Sequence, residues 1–252
     1  MRFVVSLMLL ILFHFKSYAQ NADQVQKPVI FSGMITATNN GISLLPNFSL
    51  NKPAVLFDLS VAKGKLSFDP MFRFGMDGKP WSFIFWWRYK LINQDKIKMS
   101  VGAHPSFVFR TIETNVNNTL IETTYAQRYF AIELTPTYFI NKKVSVGLYY
   151  LGSHGLSKDI IQYTHFLTLR STLTNIELTK GLSITMMPQL YYLKMDKVDG
   201  TYINGTFILS HKKSPISLSS IVSQAFRTDI LGKKFTWNVG LAYIFAKRYV
   251  KG

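Results

Sequence analysis

The stretch that decides the fold is Trp81–Leu91, WSFIFWWRYKL. Taken at every second residue, one face carries Trp81, Phe83, Phe85, Trp87, Tyr89 and Leu91, and the other carries Ser82, Ile84, Trp86, Arg88 and Lys90. A period of two is the period of a β-strand, whose successive side chains leave on opposite faces. One face is therefore apolar and aromatic from end to end, over a length that suits a strand tilted across a bilayer.

Working outward, the same pattern recurs with no helical stretch between its repeats. Strand-like segments fall near Ala54–Ala62, Lys65–Gly75, Trp81–Leu91, Ile97–Thr111, Ala126–Ile140, Val144–Gly152, Ile161–Asn175, Leu182–Met195, Thr201–His211, Pro215–Phe226 and Phe235–Ala246. Turn chemistry punctuates them at Lys63-Gly64, Asp77-Gly78-Lys79-Pro80, Asn93-Gln94-Asp95, Asn141-Lys142-Lys143, Asp199-Gly200 and Lys213-Ser214-Pro215. Longer links, Arg227–Lys234, Ser153–Ile160 and Ile112–Tyr125, alternate with tight ones. Barrels that cross a membrane keep short turns at one end and long loops at the other, with both chain ends on the short-turn side. Continuing the alternation backward makes Ala54–Ala62 a descending strand, so an odd number of strands precedes it, most simply one within Val29–Leu50. The expected fold is all-β, an antiparallel up-and-down transmembrane β-barrel of about 12 strands, with 10 to 14 compatible with the pattern.

The two faces separate along the chain. Leu66, Phe68, Phe72, Phe74, Phe107, Phe109, Phe130, Ile132, Leu134, Tyr138, Leu148 and Tyr150, then Phe235, Trp237, Val239, Leu241, Tyr243 and Phe245, belong to the apolar, outward set. The other set is polar or small: Ser67, Ser100, Gly102, Ser106, Thr135, Thr168, Gln189, Asn204, Ser219 and Asn238 are typical. A soluble sandwich also alternates, but with its apolar face inside. Segments of ten residues or more and large aromatics near segment ends favour the membrane orientation.

Composition agrees. Hydrophobic residues make up 48% of the 252 residues and aromatics 15%, yet beyond the N-terminus no run approaches the roughly eighteen apolar residues of a membrane helix. Cysteine is absent, which removes disulfides, a thiol nucleophile and thiolate metal ligands. Gly-rich phosphate loops and metal-ligand spacings are absent too, so no cofactor is expected. Met1–Ala19 reads as a signal peptide with a basic start at Arg2, an apolar core Phe3–Phe15 and cleavage after Ala19, leaving residues 20–252 as one domain. The formal charge of +16 comes from scattered positions with doublets such as Lys142-Lys143 and Lys212-Lys213. That scatter argues against nucleic acid and for anionic headgroups of outer-membrane lipids.

The signal, the train of strands and the last strand FTWNVGLAYIF (235–245) together resemble the outer-membrane β-barrel proteins of Gram-negative bacteria. The resemblance implies the barrel-assembly machinery as a partner. Family barrels commonly end on an aromatic residue. Here Phe245 is followed by AKRYVKG, so the signal that machinery reads would be internal.

Lumen-lining candidates are Asp58, Asp69, Arg73, Arg88, Lys90, Lys98, His104, Arg110, Glu133 and Arg170. Charges in a narrow tube must pair or be hydrated. Three functions fit: a porin-like passive pathway whose net-positive lumen suits small anionic solutes, a plugged barrel that docks partners through its outer loops, and a lipid hydrolase. The loop Glu113–Thr124 is the expected contact surface for the second. For the third, His104-Pro105-Ser106 has a suggestive spacing but points inward. His165, on the lipid side, stands roughly 20 Å along its strand from Ser171, too far for Ser activation.

Overall fold

A computed structural model describes residues 27–116 and 119–250, so the expected signal peptide and its cleavage lie outside the described residues. Twelve strands follow in chain order: β1 (Val29–Thr38), β2 (Ala54–Lys63), β3 (Leu66–Gly75), β4 (Pro80–Asn93), β5 (Ile97–Val116), β6 (Thr119–Phe139), β7 (Val144–Gly155), β8 (Tyr163–Thr179), β9 (Leu182–Met195), β10 (Val198–His211), β11 (Ile216–Thr228) and β12 (Phe235–Tyr249). Each pairs antiparallel with its neighbours in sequence, and β1 closes on β12 with Val29 opposite Tyr249 and Thr38 opposite Gly240. Closure leaves the barrel wall without a free sheet edge. The architecture is the expected up-and-down barrel, with one strand before β2.

The alternation read from the sequence is the alternation of exposure. In Tyr163–Thr168 every even position is buried and every odd one exposed. On β12, Trp237 is 51% and Leu241 60% accessible, while Ala242 is buried. The outer face near β2–β5 carries a ring-to-ring ladder in which Phe83 meets Phe72, Phe74 and Phe109 at centroid separations of 5.4, 5.3 and 4.9 Å. Tight turns close one end. Gly64 and Gly181 sit at φ +62° and +87°, a region open to glycine and costly for side chains with a Cβ.

Three local expectations are corrected. Trp81 does not face outward with the rest of its row. Arg73 pairs with Ser82 but Phe74 pairs with Pro80, so Trp81 is the extra residue of a bulge, and Trp81 and Ser82 are both buried. Ile112–Tyr125 is not a loop: β5 and β6 continue as one long hairpin whose register runs from Ile97↔Tyr138 to Val116↔Thr119. The expected contact loop Glu113–Thr124 is therefore strand except at residues 117–118, which lie outside the described set. Asp199-Gly200 is no turn either. Both residues lie within β10, and the chain reverses just before it, where Asp196 adopts φ +51°; Asp tolerates that region through its short polar side chain.

Candidate functional site: a lumen divided by an inward-folded loop

The segment between β1 and β2, Asn39–Pro53, turns into the barrel. Pro46–Phe48 forms one turn of 3-10 helix, with Pro at its start supplying a preset φ. Gly41 anchors the segment's ends to each other, donating to Lys52 O at 2.9 Å and accepting from Leu50 N at 2.9 Å. Apolar residues on the segment then meet the lumen wall. Trp81, brought inward by the bulge, donates its indole N–H to Phe48 O at 2.7 Å, and the Phe48 ring meets Tyr129 edge-on at 5.4 Å. Leu44, Leu45 and Phe48 pack against Phe166, Tyr191, Leu193, Met195, Tyr202, Ala225 and Ile230. Tyr191 stacks on Tyr202 at 4.8 Å, and Leu193 is wholly buried. The long-loop half of the lumen is thus filled much like a protein core.

The turn-side half is different. Arg88 on β4 donates to Glu133 on β6 through Nε at 2.6 Å and to Asp69 on β3 through Nη1 at 2.9 Å. Glu133 lies two strands away, and Gly102 of β5 pairs with both Arg88 and Glu133. The bridge passes over a residue with no side chain: a Cβ on Gly102 would stand 2.9 Å from Glu133 Oε1 and 3.1 Å from Arg88 Cγ. Ser60 and Ser67 donate to Asp69 at 2.5 and 2.9 Å, and Tyr149 donates its hydroxyl to Glu133 at 2.9 Å. The Trp86 ring lies 4.4 Å from the Arg88 guanidinium and 4.0 Å from the His104 ring, and Arg170 sits over Tyr149 at 5.3 Å. From β3 to β8 these groups form one arc of charge and hydrogen bonds. The carboxylates are sustained there because every one of their oxygens has at least one donor.

The ten sequence candidates thus fall into groups. Asp69, Arg88, Glu133 and Arg170 share the arc, with His104 beside it against Trp86. Arg73 and Asp58 interact electrostatically, and Arg73 lies 5.5 Å from the Trp81 ring. Lys90 and Lys98 are exposed at the turn side of β4 and β5, Lys98 lying 4.7 Å from the Phe139 ring. Arg110 is half-buried on the long-loop side. His165 is exposed on the outer face, where its Nδ1 meets the Tyr150 hydroxyl at 2.8 Å, while Ser171 donates its hydroxyl to Ser145 O at 3.1 Å. Sequence reasoning missed the inward loop and Tyr149, and it placed Gly102 inward without its role beneath the Arg88–Glu133 bridge. The loop had one signal, the apolar trio Leu44, Leu45 and Phe48 in a stretch that does not alternate.

A cavity of about 440 Å³ lies below the loop, bounded above by Leu44 and on its walls by Arg170, Gln189, Thr137, Thr172 and Thr206. Nearer the turns, a second space of about 790 Å³ opens among Glu177, Lys180, His211, Lys212 and Lys213. The first space is a vestibule under the apolar loop, walled largely by hydroxyl and amide side chains with Arg170, and the second is the more basic of the two. Among the described residues no group of His, Asp and Glu side chains is arranged to hold a metal ion.

No family model matches the chain, and no curated protein matches it by sequence. Solved structures do match in shape. A KdgM porin aligns with a TM-score of 0.50 and 14% identity, over 85% of this chain and 99% of that one. An outer membrane channel from Pseudomonas putida F1 aligns with a TM-score of 0.51 and 10% identity, over 90% of this chain and 100% of that one. At such identities the likeness is one of fold.

Proposed function

We propose that this chain, a β-barrel of the Gram-negative outer-membrane type, is a passive porin-like pathway for small solutes in the outer membrane, narrowed by its own first loop. The observation that carries this reading is the space below Leu44, walled largely by hydroxyl and amide side chains with Arg170, and a second, more basic space nearer the turns. A barrel serving only as an anchor has no need of such a vestibule. Its wall groups bind water or passing solute in place of one another.

Anion preference follows from how the charges are distributed. Arg88 is satisfied by two carboxylates, whereas Arg170, Lys90 and Lys98 form no ion pair among the described residues. The uncompensated positive charge lies on the turn side, where Lys180, Lys212 and Lys213 add to it. Exposed lysines at the turns also suit anionic lipid headgroups, and insertion by the barrel-assembly machinery belongs to the same reading.

The apolar packing around Phe48 favours a second reading, a plugged barrel that acts through its outer hairpins. Planar-bilayer recording separates the two. With Leu44–Phe48 replaced by Gly and Ser residues, folded protein should conduct several-fold more than the native chain, and Arg170→Ala should lower its anion preference. Native protein that conducts supports the pathway. Silence from both forms, with folding verified by the mobility difference between boiled and unboiled samples, removes it and leaves the plugged barrel.

A further inference from the structure

Beneath the inward loop, on the side away from the vestibule, lies a small cavity of about 120 Å³ whose chemistry the channel reading does not use. Its roof is Leu45 and Phe48, and most of its wall is apolar, including Ile84, Val108, Ala131 and Leu151. Polar side chains interrupt that wall, the hydroxyls of Ser43, Ser106, Tyr129, Ser153 and Thr164 among them, and three others are distinctive: Arg73, Ser82 and His104. Each has a buried atom with no partner within the protein, namely Arg73 Nε, Ser82 Oγ and His104 Nδ1. Ser82 is 5% and His104 6% accessible, so both are enclosed rather than facing bulk water. Arg73 and Ser82 are direct partners across β3 and β4, which holds their two donors side by side.

Buried polar groups without partners are uncommon and costly, and several converging on one space mark a place where a ligand supplies the missing acceptor. Arg73 Nε–H and Ser82 Oγ–H can donate, and His104 Nδ1 donates in one tautomer. A guanidinium beside a hydroxyl fits a carboxylate through charge-assisted hydrogen bonds. Asp58, the countercharge to Arg73, is not part of the cavity wall. Most of the remaining wall surface, with Ile84, Val108, Ala131 and Leu151, offers apolar contact, which a spherical or wholly polar anion cannot use. The space corresponds to about four waters at about 30 Å³ each, which limits the occupant to roughly four to six heavy atoms.

We propose that this cavity binds a short-chain monocarboxylate such as propionate or butyrate, its carboxylate on Arg73 and Ser82 and its alkyl end against Val108 and Ala131. Because Leu45 and Phe48 roof the site, the bound molecule lies under the same loop that narrows the lumen. The inference does not rest on conduction, since a plugged barrel can bind the same ligand.

The test uses the full chain folded in detergent micelles, its fold checked by the boiled-against-unboiled gel shift, with sodium propionate titrated at constant ionic strength and followed by saturation-transfer NMR and calorimetry. Propionate should bind saturably. Propionamide, isosteric but uncharged, and chloride should each bind at least about tenfold more weakly, the loss expected when a charge-assisted pair or the apolar contact is removed. Arg73→Gln should abolish binding. Should that variant fail to fold, Ala131→Leu fills the cavity without touching a donor and should also abolish it. Non-saturable propionate binding, equal affinity for propionamide or chloride, or full binding by a folded Ala131→Leu protein would each overturn the proposal. The first of these outcomes would mean that the three polar atoms are simply hydrated.

Discussion

The two halves of the lumen are built on opposite principles, although the same strands run through both. On the long-loop side, Leu44, Leu45 and Phe48 fill the space with Phe166, Tyr191, Leu193 and Met195, and the wall is held by close packing. On the turn side, Arg88, Asp69, Glu133 and Tyr149 hold the wall by hydrogen bonds, and a cavity remains. The difference shows that strand alternation decides only which side chains point inward. Whether the interior is solid or wet is decided by what else enters it, here a fifteen-residue segment between two strands.

The contrast can be broken most severely in the polar half. Arg88→Met leaves Glu133, whose side chain is only 2% accessible, without its cation. Equilibrium urea unfolding from lipid vesicles should show a loss of about 3 kcal/mol, and adding Glu133→Gln should restore part of it, because the cost is mostly that of the stranded carboxylate. A double variant as unstable as the sum of the two single ones would mean that the pair is not coupled.

The apolar half should answer nearly as strongly but without recovery. Leu193→Ala removes a wholly buried side chain from the seal and should cost about 2–3 kcal/mol by the same measurement. Anion preference should be unchanged, since no charge is touched. A smaller effect is expected at the joint between loop and wall. Trp81→Phe retains most of the ring but loses the 2.7 Å bond to Phe48 O, for a loss of about 1 kcal/mol. A wider range of single-channel conductance levels should accompany it if that bond holds the loop in place.

The smallest effect lies at the rim, where Lys52, at the end of the inward segment, meets Asp77 of the β3–β4 turn at 2.5 Å. The hydrogen bond from Lys52, with one from the Lys79 backbone, holds the Asp77 carboxyl below the usual carboxylate range. Its contribution is complete above the unfolded value and fades as pH falls through the lowered folded one. Exposure and salt keep it slight. A carbon-13 NMR titration of Asp77 should give a midpoint below that of a free Asp, moving upward in Lys52→Met.

Much of this could be read from the chain because a period of two is a local property. Leu66, Phe130, Tyr138 and Trp237 needed only their neighbours to be assigned outward, and Thr168, Asn204 and Asn238 inward. Trp81 went wrong because a bulge changes the parity of every residue beyond it, and whether one strand carries an extra residue depends on its partner. The ion pair of Arg88 with Glu133 was hidden for a related reason. Both residues were visible as inward charges, but their meeting over Gly102 depends on the registers of three strands. The inward loop was the hardest to see, since its apolar residues follow no period and its destination is set by the hollow that the other strands enclose.

The long hairpin has a consequence of its own. β4 accompanies β5 only as far as Ser82↔Val108, and β7 accompanies β6 only as far as Tyr129↔Gly155. The rungs from Phe109↔Ala126 outward have no third strand beside them. Among the described residues, amides pointing away from the hairpin there have no strand to bond, and those between its two strands can open without disturbing the rest of the wall. Deuterium should therefore enter the outer part of β5 and β6 long before it enters their lower part, giving one continuous pair of strands two clocks.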